Sequence, residues 1–339
     1  MKPDFKFTVL AIGSVLFAIS FSLPAVAADA PAAAARVTFD GNIKNNSLAL
    51  SPDESTAVVS YSERPDVVVY NLQKGTVRGV LHGYVTPRNI VFAPDGKSFY
   101  VSDSSRGEVV KIDSAKLKPL AHLAAGPGAF GTALNKDGGK LYVNNQATST
   151  VTRFDTATDQ ARAVITGFAQ PRQGVRLSPD GSKLYVTNFL GDKVTIVDTQ
   201  TDKVEGEITG FNKIRAISVT ADGKTMFAAN SGTNKIAVVD IAKREITGTV
   251  AVGKDPYGAA LTPDGRFVYS GNLADNTVSV IEVETLKVVA TITGFKQPRQ
   301  AIVFTRDEKL AYVLNEDLSV SKVDRASQRI VGTLAPPKL

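Results

Sequence analysis

The sequence of 339 residues predicts an all-β fold, a seven-bladed β-propeller with four antiparallel strands in each blade. Three observations lead to this prediction. An Asp, usually followed by Gly, recurs seven times at intervals of 42 or 43 residues. Each repeat holds four short β-rich runs, and no helical periodicity separates them. The recurring residues are Asp53, Asp95, Asp137, Asp180, Asp222, Asp264 and Asp307.

The best-formed repeat spans residues 174–211 and defines four strands, named A to D in chain order. The predicted strands are Gly174–Leu177, Lys183–Thr187, Lys193–Val197 and Lys203–Ile208. A Pro-Asp-Gly turn separates A from B, because Pro presets φ, Asp supplies a side-chain acceptor and Gly tolerates positive φ. Apolar residues recur on strand A of successive repeats, which predicts a core between neighbouring blades. They include Leu48, Leu50, Ile90, Phe92, Val175, Leu177, Ile217, Val219, Ile302 and Phe304.

Polar residues also recur where strands B and C end. Asn188 follows strand B and Asp198 follows strand C of the best-formed repeat. Their counterparts are Asn145, Asn230, Asn272 and Asn315, and Asp113, Asp155, Asp240 and Asp324. Because they stand at strand ends in nearly every repeat, we expect them to cap turns rather than to bind a ligand.

The first residues have the pattern of a secretory signal peptide. Two lysines precede an apolar run, and a small-residue cleavage pattern ends at Ala27. The predicted organisation is a signal peptide at 1–27, a small-residue linker at 28–35 and one propeller domain at 36–339. We therefore expect a periplasmic, secreted or cell-surface protein without a membrane span after cleavage. A retained transmembrane anchor is the alternative for this segment.

Two segments compete for the last strand of the seventh blade. Arg329–Leu334 occupies the D position of the last repeat, whereas Arg36–Phe39 aligns equally well with the D position before the first. One of the two is surplus to a four-stranded blade. Pairing of the N-terminal segment with the last blade would latch the ring.

Composition excludes several classes of site. The chain has no Cys, two His and a formal net charge of +6, so disulfides, thiolate metal ligands and Cys nucleophiles are absent. No HExxH, GxSxG or Walker motif is present, and no GxGxxG opens a helix. We expect His82 and His122 on the outer D strands of the second and third blades, at the surface. The prediction is a non-enzymatic protein with no catalytic residue, metal site or cofactor.

The segment KLYVTN at Lys183–Asn188 resembles the signature of the YVTN family of β-propeller repeat proteins. SFYVSD at 98–103, KLYVNN at 140–145 and LAYVLN at 310–315 echo it, while the first, fifth and sixth blades depart from it. The resemblance covers essentially the whole mature chain. It implies an exported bacterial or archaeal propeller that acts as a binding or scaffold module. Some relatives have been linked to nucleic acid or to quinone-dependent oxidoreductase systems.

The loops from strand D to the next strand A carry a second pattern. In four repeats a Gly-aromatic pair is followed by an Arg four residues after the aromatic residue. The arginines are Arg88, Arg172, Arg215 and Arg299, and the aromatic residues are Tyr84, Phe168, Phe211 and Phe295. Tyr257 takes an equivalent place in another repeat. Strand A is innermost in a propeller, so these nine residues are predicted to form a ligand-binding ring at the mouth of the central channel.

Charge favours an anion at this ring. The D-to-A loops hold eight cationic and two acidic residues, and like charges repel unless something neutralises them. We therefore predict a monomeric protein that binds an unidentified anionic ligand or an acidic protein surface. Arg pairs with carboxylate or phosphate, and aromatic rings stack on bases, so single-stranded nucleic acid is an alternative ligand.

Two further alternatives remain open for this ring. Carboxylates of the B-to-C loops, on the same face, could pair with the arginines, and the aromatic rings could fill gaps between blades. A lactonase-like or metal-dependent propeller hydrolase is the enzymatic alternative, with Asp, Glu and Asn around the channel holding a divalent cation.

Overall fold

Each sequence repeat forms one four-stranded antiparallel sheet in which the strands are hydrogen-bonded in chain order. The computed structural model describes residues 44–188 and 190–338. The predicted signal peptide, the linker and the segment 36–39 lie outside the described residues. Within the described residues, the regular structure is 28 β-strands and one short 3-10 helix at Ser231–Thr233. The predicted all-β, seven-bladed propeller is confirmed.

The strands of each blade are A, B, C and D in chain order. Blades one to three contain β1 (Asn46–Leu50), β2 (Thr56–Tyr61), β3 (Val67–Asn71), β4 (Thr76–Leu81), β5 (Pro87–Phe92), β6 (Ser98–Asp103), β7 (Glu108–Asp113), β8 (Pro119–Ala124), β9 (Ala129–Leu134), β10 (Lys140–Asn145), β11 (Thr150–Asp155) and β12 (Gln160–Ile165). Blades four and five contain β13 (Pro171–Leu177), β14 (Lys183–Asn188), β15 (Lys193–Asp198), β16 (Lys203–Ile208), β17 (Ile214–Val219), β18 (Thr225–Asn230), β19 (Lys235–Asp240) and β20 (Glu245–Ala251). Blades six and seven contain β21 (Ala260–Leu261), β22 (Phe267–Asn272), β23 (Thr277–Glu282), β24 (Lys287–Ile292), β25 (Ile302–Phe304), β26 (Leu310–Leu314), β27 (Val320–Asp324) and β28 (Arg329–Leu334).

The recurring Asp closes the A-to-B turn in all seven blades. In blade four, Oδ1 of Asp180 accepts hydrogen bonds from the Ser182 amide at 3.0 Å and the Ser178 hydroxyl at 2.5 Å. In the other six blades too, the backbone amide of the residue two positions after the Asp donates a hydrogen bond to the Asp Oδ1. The side chain thus replaces a backbone acceptor and holds the turn.

The hydrophobic core lies between the blades. Seven clusters of buried residues each join two neighbouring sheets. The cluster containing Leu48, Tyr70 and Leu318 joins the first blade to the seventh, so the ring is closed. Each sheet is therefore covered on both faces, which explains how one domain of this size is stabilised without one large core.

The segment Arg329–Leu334 completes the seventh blade. As β28 it pairs with β27 along its length, so all four strands of this sheet come from the C-terminal repeat. Side chains close the ring: the Tyr70 hydroxyl donates to the Leu318 carbonyl at 2.7 Å across the junction of blades seven and one.

No helix in the described part of the chain is long and apolar enough to cross a membrane.

Candidate functional site

The four predicted arginines lie where the D-to-A loops enter strand A, but most of their surface is covered. Arg88, Arg172 and Arg299 are buried, with exposed fractions of 4% or less, and Arg215 is half-buried. None of the four is among the residues that line the central channel. The structure therefore places these side chains between neighbouring blades around the channel mouth.

Arg88 joins three blades. Its Nε donates to Ser104 Oγ at 2.9 Å, and its Nη1 donates to Asn45 Oδ1 at 2.9 Å. The guanidinium lies over the ring of Phe130, 4.4 Å from the ring centroid. These contacts offset much of the desolvation free energy of the buried guanidinium, so Arg88 helps to hold the three blades together.

Arg215 and Arg299 converge on Tyr257. Their guanidinium carbons lie 4.5 Å and 4.9 Å from the centroid of the same ring. Arg215 Nε donates to Ser231 Oγ at 3.1 Å, and Arg299 Nη1 donates to the Lys44 carbonyl at 3.1 Å. Two cations are thus held against one aromatic ring, and we call Arg215, Tyr257 and Arg299 the arginine–tyrosine cluster.

This cluster has no carboxylate partner in the part of the chain that the structure describes. Neither Arg215 nor Arg299 forms an ion pair there. Arg215 Nη1 and Arg299 Nε are buried without a hydrogen-bond acceptor. Unneutralised buried cations are costly, and such sites in proteins often serve an anionic ligand.

The predicted aromatic residues fill gaps between blades. Tyr84, Phe168, Phe211 and Phe295 are at most 9% exposed, and each belongs to the cluster between the blade that it leaves and the blade that it enters. Tyr257 is also buried. Because stacking on a nucleobase needs an accessible ring face, these five residues do not provide the surface that the nucleic-acid alternative requires.

Carboxylates of the B-to-C loops bind other partners. Glu63 contacts Lys44 at 3.4 Å and Asp317 contacts Lys296 at 2.6 Å. Asp103 is fully buried and accepts hydrogen bonds from the Val85 amide at 2.7 Å and from the amide of the following residue. These loop carboxylates therefore neutralise lysines and hold the D-to-A loops, and they leave the arginine–tyrosine cluster positive.

Most of the strand-end residues cap loops as predicted, whereas Asn145 Oδ1 is buried without a hydrogen-bond partner among the described residues. Asn188 Oδ1 accepts from the Ala169 amide at 2.8 Å, and its Nδ2 donates to Thr195 Oγ1 at 3.0 Å. Asp198 Oδ1 accepts from the Thr201 amide at 2.8 Å. Equivalent bonds recur at Asn230, Asn315, Asp113, Asp155, Asp240 and Asp324.

Both histidines are exposed, but on the first and second blades rather than the second and third. His82 follows β4 and contacts Asp66 at 2.7 Å, and His122 lies on β8 and contacts Glu108 at 3.0 Å. The expected blade numbers were wrong because each D strand belongs to the sheet of the strands before it. Among residues 44–188 and 190–338, no three His, Asp or Glu side chains are grouped so that they could hold a metal ion.

The central channel contains one residue that the loop pattern does not reveal. The channel encloses about 360 Å³. Residues at strand A of blades one to five and of blade seven line it. Arg176, on β13, is the single charged residue among its described lining residues. The signal is present in the sequence, because Arg176 stands four residues before the turn Asp, where the other repeats have Ala, Val or Ser.

Comparisons with known proteins support the fold and leave the ligand open. A family model described as "Lactonase, 7-bladed beta-propeller" matches residues 47–205 and 198–299. No curated protein matches the chain. A solved structure of Kuenenia stuttgartiensis hydrazine synthase matches with a TM-score of 0.74 and 20% identity, over 82% of this chain and 95% of that chain. At that identity the likeness shows the fold alone.

Proposed function

The chain belongs to the seven-bladed lactonase β-propeller family, and on that premise we propose that it is a non-enzymatic binding protein for an anionic ligand or an acidic protein surface. The binding site in this proposal is the arginine–tyrosine cluster on the face of the D-to-A loops. One observation carries the proposal: two guanidinium groups share one ring, and no carboxylate among residues 44–188 and 190–338 neutralises either of them.

Arg215 is the residue that a ligand would reach first. It is half-buried, whereas Arg299 and Tyr257 are buried behind it. Packing against the ring limits the rotation of both guanidinium groups, so little side-chain entropy is lost when an anion binds. A carboxylate or phosphate supplies the acceptor that Arg215 Nη1 lacks.

Binding is tested by comparing wild type with Arg215→Gln. Candidate probes are citrate, a Glu-rich peptide and a single-stranded oligonucleotide, measured by calorimetry and thermal melting. We expect an anion to bind wild type and to bind Arg215→Gln at least about 10-fold more weakly, because a charge-assisted hydrogen bond is lost.

The matched control is Arg162→Gln, which removes the same charge from an exposed position on β12. It should bind like wild type. Equal affinity of the Arg215 and Arg162 variants, or no binding to wild type, would rule out the cluster as the site. If the oligonucleotide binds, the slope of log K against log salt should be near 0.7 per phosphate contact, and a flat slope argues against nucleic acid.

Lactone hydrolysis is the second candidate, and the family description favours it. The test is hydrolysis of five- and six-membered sugar lactones, with and without a chelator. Lactone hydrolysis that copurifies with the protein, and that is lost when a residue lining the channel is substituted, would replace the binding proposal with an enzymatic one. A chelator-sensitive rate would point to the metal-dependent form.

Export is a further part of this proposal and rests on the pattern at 1–27. Expression of the full chain with fractionation should place the protein outside the cytoplasm. Sequencing of its N terminus should begin at Ala28. A product that begins at Met1 and sediments with membranes would instead support the anchor alternative.

A further inference from the structure

The second candidate site lies at the other end of the channel. Strand A runs from the D-to-A face to the A-to-B face, and Arg176 is the second-last residue of β13. Relative to the turn Asp, it stands three positions further along strand A than Arg215, which is about 10 Å along an extended chain. A site at Arg176 is therefore separate from the arginine–tyrosine cluster.

Arg176 lies inside the channel with protein around it, but its side chain is exposed to the solvent in the channel. Its Nη1 donates to the Val175 carbonyl at 2.8 Å. No ion pair neutralises this side chain among residues 44–188 and 190–338. Burial lowers the pKa of the guanidinium, although an arginine stays cationic at neutral pH. The low-dielectric walls of the channel focus the field of this cation, so an anion that enters the channel is attracted there.

The surroundings of Arg176 add a hydrogen-bonding group and an apolar wall. Ser218 occupies the same level on β17, and its hydroxyl is buried without a hydrogen-bond partner. From Arg176 the channel opens into a depression of about 370 Å³ on the A-to-B face. Apolar residues of blades four to six line this depression, including Leu177, Val219 and Leu261.

We propose that the A-to-B end of the channel binds a small organic anion, a monocarboxylate with an apolar body. The carboxylate accepts hydrogen bonds from the Arg176 guanidinium and the Ser218 hydroxyl. The apolar body lies against Leu177, Val219 and Leu261, where it loses contact with water. This inference does not depend on the proposed function of the D-to-A face.

Thermal melting and calorimetry with hexanoate, acetate and hexanol test this site. Hexanoate has the charge and the apolar body, acetate has only the charge, and hexanol has only the apolar body. We expect hexanoate to raise the Tm of wild type by at least about 3 °C at saturating concentration, and the other two to raise it less. Arg176→Gln should weaken hexanoate binding at least about 10-fold.

Two control variants separate the sites. Arg162→Gln changes the net charge equally and lies outside both candidate sites, so it should keep the response to hexanoate. Arg215→Gln tests whether the cluster on the other face takes up the same anion. If wild type does not respond, or if Arg176→Gln responds like wild type, the inference is wrong. Loss of the response in Arg215→Gln but not in Arg176→Gln would assign the anion to the cluster instead.

A second variant tests the site independently of the first. Ser218→Asp places a carboxylate at the level of Arg176, where it should neutralise the guanidinium. The expected result is a higher Tm than wild type without ligand and loss of the hexanoate response. An unchanged response to hexanoate in this variant would contradict the proposed position of the carboxylate, even if Arg176→Gln does not fold.

Discussion

At the scale of single residues, the recurring Asp of each repeat stabilises the turn from strand A to strand B by accepting hydrogen bonds. Asp180 accepts from the amide and the hydroxyl of Ser182 and from the hydroxyl of Ser178, and these bonds lower its pKa to about 2. The pKa of the turn Asp is also lowered in the blades of Asp53, Asp222, Asp264 and Asp307, where hydrogen bonds from a neighbouring Ser or Thr contribute. The charged form is therefore the one that stabilises the turns.

This depressed pKa predicts acid sensitivity. The ordinary pKa is 3.8, so the contribution of Asp180 is complete above about pH 4 and is lost as the pH falls towards 2. Asp180→Asn keeps an oxygen acceptor but does not titrate. Urea unfolding at pH 5 and pH 3 should show a smaller loss of unfolding free energy in Asp180→Asn than in wild type. Glu284→Gln, an exposed change of the same charge, should lose as much as wild type.

At the scale of elements, the outer strand is bulged in every blade. Each pairing of strand C with strand D shifts register once, at corresponding positions in all seven sheets. Strand D is the exposed edge, and a bulge disrupts the regular row of backbone donors and acceptors that another chain could pair with. The fold therefore protects seven edges with the same device.

Register also explains the uneven repeat length. In blades two, three and five, strand A contains one extra residue before it pairs regularly with strand B, and in blade four it contains two. The interval between Asp137 and Asp180 is 43 residues for this reason. Counted back from the turn Asp of its own repeat, Arg172 therefore stands one position further away than Arg88 and Arg215 do. A pattern counted from the aromatic residue alone cannot detect that shift.

Close contact between blades six and seven predicts a sensitive glycine. A Cβ at Gly271 on β22 would lie 2.2 Å from the Arg299 carbonyl oxygen. Gly271→Ala should therefore destabilise the protein by about 1–3 kcal/mol, since the backbone of Arg299 must move. It should also weaken binding at the arginine–tyrosine cluster. Gly332→Ala on β28 is the control, because no atom lies within 4 Å of its added Cβ. Similar urea midpoints for the two variants would contradict this prediction.

At the scale of the whole molecule, side chains of the described residues join the last blade to the first. Leu318 is fully buried between blades seven and one, beside Tyr70 and Leu48. Leu318→Ala should lower the unfolding free energy by about 2–5 kcal/mol, because it leaves a cavity in this junction. Val289→Ala, on the exposed outer strand β24, should change it by less than about 0.5 kcal/mol.

Urea denaturation followed by circular dichroism measures both variants. A weakened junction should still unfold together with the rest of the ring, because every blade packs on two neighbours. Two separate transitions in Leu318→Ala would show that the ring can open at this junction alone. A cost equal to that of Val289→Ala would show that the junction contributes little to stability.

The number of blades, the strand order and the turn and capping residues were determined by the sequence alone. This was possible because they depend on local chemistry that repeats every 42 or 43 residues: an Asp acceptor, a tight turn and alternating apolar residues. The burial of Arg88, the convergence of Arg215 and Arg299 on Tyr257 and the isolation of Arg176 in the channel were decided by tertiary structure. Each depends on side chains from neighbouring blades, which spacing along one chain does not place.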